Sequence, residues 1–92
     1  MVIEADVKLR QAYEDFKKSA HKGDKAAAKA ALKRAEAAFT ELSRELDSAY
    51  TRYQAKRDHF TATQLDEVAH AVNFAHFAIG NMNRTLKHWY YS

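Results

Sequence analysis

Residues 70–84 read HAVNFAHFAIGNMNR. Val72, Ala75, Ile79 and Met82 recur at alternating steps of three and four, which places them on one face of a helix. Phe74 and Phe77 lie off that face, so the stretch reads as a helix with two apolar sides. Followed outward, the stripe becomes Leu65, Val68, Val72, Ala75, Ile79, Met82, Leu86 and Trp89, an unbroken heptad seam. The expected helix covers residues 62–90. Before it, Thr61 and Gln64 have capping-box spacing, and Phe60 with Leu65 has hydrophobic-staple spacing.

Upstream, the seam Ala28, Leu32, Ala35, Phe39, Leu42, Leu46, Ala49 and Tyr53 predicts a helix over residues 25–58, roughly 50 Å long. A first helix is expected over residues 3–20, on the seam Val2, Ala5, Leu9, Ala12 and Phe16, widened by Tyr13 and Ala20. Between the two stands HKGD, where Gly23 suits the left-handed helix terminus and Asp24 suits the next N-cap. The chain has no proline and two glycines, and alanine and lysine are abundant, so the composition excludes a β fold of this size. At 92 residues it is read as one domain, 1–92. The expectation is an all-α, three-helix up-down-up antiparallel bundle with a long helix 2–helix 3 hairpin, completed by oligomerisation.

That last clause follows from lengths. Helix 1 can cover helix 2 only to about Leu42, which leaves a two-helix tip where Tyr50, Tyr53, Phe60, Val68 and Val72 would meet water. Helix 3 also carries a second heptad row: Thr63, Glu67, His70, Phe74, Phe77, Asn81, Arg84 and His88. On the back of helix 2, Ala26, Ala30, Ala37, Ser48, Thr51 and Ala55 form a small-residue row that another helix could approach. The expected contact surface, for a homo-oligomer (a dimer first) or another protein, is therefore His70, Phe74, Phe77, Asn81, Arg84 and His88.

Enzyme chemistry finds little material. There is no cysteine, no Gly-rich phosphate loop and no His-Glu-x-x-His, and the four serines have no nucleophile-elbow context. No enzyme activity and no cofactor are expected. Glu67 and His70 form one Glu-x-x-His pair, but di-iron bundles need two such pairs and bridging glutamates, so no metal site is assigned. His76, at the edge of the seam, reads as a packing histidine. No secretory leader or membrane span is expected, and the location read from the sequence is cytoplasmic.

Charge is the most ligand-like feature. The net charge is +3, yet Lys17, Lys18, Lys22, Lys25, Lys29, Lys33 and Arg34 gather with one acid, Asp24, between positions 17 and 34. Lys25, Lys29 and Lys33 form a ridge at steps of four, and Lys18 and Lys22 sit across the turn. With Arg84 they are candidates for phosphate binding, which makes a nucleotide or nucleic acid the alternative partner.

Two short stretches resemble known families. GDKAAAKAALKRA, residues 23–35, is similar to the helical turn of a bacterial small-subunit ribosomal protein family; the remaining chain lacks that family's basic load, and its function is not carried over. FAIGNMNRTL, residues 77–86, is similar, through Asn83-Arg84 and the apolar spacing, to the C-terminal helix of small phage hairpin proteins that sequester cyclic-nucleotide signals of bacterial immunity. That resemblance implies an oligomer with ligand pockets between subunits, with Arg84, His88, Tyr13 and Lys18 as candidate lining residues.

Overall fold

A computed structural model describes residues 2–91, and the side chains of residues 2–89. Three helices make up the fold: α1, Glu4–Lys22; α2, Lys25–Lys56; and α3, His59–Tyr91. Cross-helix contacts fix their directions. Lys8 meets Glu41 and Asp15 meets Arg34, so α1 and α2 are antiparallel. Tyr13 meets Asn81, while Ile3 and Val7 share a groove with Glu67 and Ala71, so α1 and α3 run parallel. The chain is an up-down-up three-helix bundle, 51 Å long and 21 by 15 Å across.

The first turn forms as its residues dictate. Gly23 adopts φ 78°, its N–H donates to Ala20 O, and Asp24 N–H donates to Ser19 O. The Asp24 carboxylate then caps α2 by accepting from Ala27 N–H at 3.1 Å. The second turn differs from the expectation. Helix α2 ends at Lys56, and Arg57 takes the left-handed conformation, φ 50°, with its N–H on Tyr53 O at 2.7 Å. Asp58 caps α3: its carboxylate accepts from Thr61 N–H at 2.8 Å, and Asp58 N–H donates to the Thr61 hydroxyl at 3.2 Å. This is a reciprocal box one register upstream of the Thr61/Gln64 pair, and it starts the helix at His59 rather than residue 62. Phe60, the expected staple residue, is 69% exposed.

The seams pack as their periods require, except that Val2 precedes α1 and is exposed. Leu9, Leu42, Val68 and Met82 are the largest fully buried side chains. Around them the core is mostly alanine: Ala12 on α1, Ala28, Ala31, Ala35 and Ala38 on α2, and Ala71, Ala75 and Ala78 on α3. Short side chains let the helix axes approach closely. Val68 and Val72 are buried, contrary to the expected wet tip, because the start of α1 reaches the level of Glu67 and Ala71. The two-helix tip is thus confined to about residues 46–66, where Ala49 and Thr61 are buried, Leu46, Tyr53 and Leu65 half-buried, and Tyr50 and Phe60 exposed.

No described helix is long and apolar enough to cross a membrane.

Candidate functional site

The double apolar character of α3 has a partly internal cause. A helix in contact with two others needs two seams. Leu65 to Trp89 supplies the one facing α2, and Ala71, Phe74, Ala78 and Asn81 lie toward α1. Phe74 is half-buried under α1: the Tyr13 ring meets it edge-on at 6.1 Å, and the Arg10 guanidinium lies 4.1 Å above its centre. Asp6 holds that guanidinium through both carboxylate oxygens, at 3.2 and 3.1 Å. Phe77, 6.4 Å from Phe74, is 58% exposed. The second row therefore divides. Phe74 and Asn81 turn inward, while His70, Phe77, Arg84 and His88 remain on the surface.

Two depressions flank the Tyr13–Phe74 contact. Toward the N-terminus of α1, Val7, Arg10, His70 and Ala71 line a shallow groove. The His70 ring is held at its own helix, with Nδ1 2.8 Å from Asp66 O. Among the described residues no group of three or more histidine, aspartate or glutamate side chains is arranged to hold a metal ion.

Toward the C-terminus of α1 lies a cleft of about 500 Å³, lined by Tyr13, Phe16, Lys17, Ala20 and His21 on one side and Asn81, Arg84 and Thr85 on the other. A polar relay crosses it. Asn81 Nδ2 donates to the Tyr13 hydroxyl at 3.1 Å, and Arg84 Nη2 donates to Asn81 Oδ1. Asn81 is half-buried in an otherwise apolar stripe, where an amide needs both ends satisfied. Lys17 is committed elsewhere: Nζ lies 2.8 Å from Glu14 Oε1 and 4.6 Å from the Tyr13 ring centre. Its hydrogen bond to the Glu14 carboxylate raises its pKa above the ordinary lysine value.

The expected phosphate ridge is exposed in full, Lys18, Lys22, Lys25, Lys29 and Lys33 alike. Lys25 lies 5.4 Å from the Trp89 ring centre, and the neighbouring Arg34 clips α2 to α1 through Asp15 at 3.0 Å. Because α1 and α3 end where α2 begins, these residues share one end of the rod with Arg84 and Lys87. Positions 14–36 and 84–87 hold nine basic and four acidic side chains, a net +5; the remaining six basic and eight acidic give −2. On the back of α2 the small-residue row, Ala26 to Ala55, is exposed. His76 packs by ring contact, 4.6 Å from Phe39 at 70°.

Of the candidates from sequence, Arg84 and Asn81 come together with Tyr13 in one cleft, and Lys18, Lys22, Lys25, Lys29 and Lys33 lie outside its lining. Lys17 and His21 line the cleft without having been expected there. The usable signal was Asn81 itself, a polar residue at an apolar period, with Tyr13 at the margin of the facing seam.

In comparisons with known proteins, no family model matches this chain, and no curated protein or solved structure matches it significantly.

Proposed function

We propose that this chain is a non-enzymatic helical protein that works by protein–protein docking, and that its first partner is a second copy of itself. Phe77 carries the reading. It is 58% exposed at the middle of α3, beside half-buried Phe74. Burying such a ring is worth about 2 kcal/mol, so leaving it in water forgoes a term that a contact recovers. Val7, itself 42% exposed, and His70 line the adjoining groove, and Arg10 joins that groove to Phe74. A twofold axis beside Phe77 would set the two rings against one another, the same patch serving both subunits.

Light scattering on wild type, Phe77→Asp and Phe60→Asp tests this. The expected wild-type mass is twice the 10.5 kDa of one chain. Phe77→Asp is expected to weaken association by about tenfold or more and return the chain to a single copy. Phe60→Asp, at the exposed tip, should leave the dimer intact. A single-chain mass for wild type, or an unchanged dimer with Phe77→Asp, overturns the proposal.

A further inference from the structure

We propose that the cleft between α1 and α3 is a binding site for a small carboxylate with an apolar body, and that Arg84 is its anchor. This stands independently of whether Phe77 docks a second chain.

Arg84 donates to a neutral acceptor, Asn81 Oδ1, and forms no ion pair among the described residues. Asn81 is in turn oriented by the Tyr13 hydroxyl on the facing helix. The relay therefore tethers one edge of a cation at the cleft without neutralising it. A guanidinium has five N–H donors in a rigid fork, and one bond to an amide leaves most of them for an anion with two coplanar oxygens.

The surroundings choose between anions. The other lysine at the cleft, Lys17, is paired with Glu14 at 2.8 Å, which leaves Arg84 as the lining cation with no acidic partner among the described residues. That matches a singly charged carboxylate better than a doubly charged phosphate. Phe16 and Ala20 contribute apolar lining to the 500 Å³ space, which suits a hydrocarbon body and lies within the size range of small-molecule sites. The net +5 end of the bundle draws anions toward the cleft but does not distinguish among them.

The probe is phenylacetate, titrated at low salt and followed by backbone and side-chain NMR shifts. Saturable shifts are expected at Tyr13, Asn81 and Arg84. Arg84→Gln should weaken binding by about tenfold or more, the order of a charge-assisted hydrogen bond. Tyr13→Phe, which releases Asn81 while retaining the ring, should weaken it by a smaller factor. Lys33→Gln, at the same basic end but outside the cleft, should change it by less than about twofold. Far-UV dichroism of each variant is the control that its helices are kept. Absence of saturable shifts at millimolar phenylacetate overturns the site. Equal losses in Lys33→Gln and Arg84→Gln would replace it with diffuse charge attraction. Tighter binding of phenyl phosphate than of phenylacetate would overturn the carboxylate assignment. Unchanged binding in Arg84→Gln would remove the anchor.

Discussion

At the scale of single residues, the turn before α3 shows how a correct rule can select the wrong register. Asp58 and Thr61 stand three apart, as do Thr61 and Gln64, and both pairs satisfy the spacing of a capping box. The structure uses the first because the aspartate carboxylate accepts the Thr61 N–H directly, and Thr61 is then buried at 4% exposure. The Thr61 backbone N–H, followed by its hydroxyl, bonds the ionised carboxylate and holds the Asp58 pKa below the ordinary aspartate value. A lowered folded-state pKa has a definite sign. The stabilisation is complete above the unfolded pKa and is lost as pH falls through the folded one. Melting wild type beside Asp58→Ala should therefore show an advantage for wild type at neutral pH that shrinks on acidification. A gap that stays constant down to strongly acidic pH would contradict the box. Arg57, at φ 50°, carries no sequence signal for the left-handed region; a glycine would have announced it.

At the scale of elements, the three helices, their order and the seams were legible because period and punctuation agree. Which helix each flank meets was not. Period gives a seam but not the rotation of a helix about its axis, so Phe74 and Phe77 looked equivalent until α1 was seen to cover only one of them. Alanine hides its role in the same way. Ala30 is exposed and Ala38 is 2% exposed, and nothing about the residue type separates them. Packing does: Ala38 faces α1 near Ala12. Ala38→Leu should destabilise by about 1–3 kcal/mol through overpacking, while Ala30→Leu should stay within about 0.5 kcal/mol. Urea titrations of both variants decide it, and equal midpoints would mean that the α1–α2 contact is looser than described.

At the scale of the whole molecule, the bundle is uneven. Three helices share a core from α1 outward to the basic end, whereas residues 46–66 have only two. Local opening follows contact density, so amides flanking the second turn should exchange with solvent sooner than those around Leu9, Leu42 and Met82. Uniform protection along α2 would show that the tip is held by something further, such as a neighbouring copy. The cleft was the least legible part. Its three essential residues, Tyr13, Asn81 and Arg84, come from two helices separated by 68 positions at the closest bond, and no local pattern links them.

Unequal charge along a 51 Å rod has one further consequence. With +5 gathered at one end and −2 spread over the rest of the chain, the molecule behaves as a compass needle: near an anionic surface or a crowded polyanion it experiences a torque before it makes any contact. It arrives turn-first, the helix 1–2 turn leading and the two-helix tip trailing. The orientation of an encounter is thus set by the distribution of lysines, ahead of any fit between surfaces, and it fades as salt shortens the reach of the field.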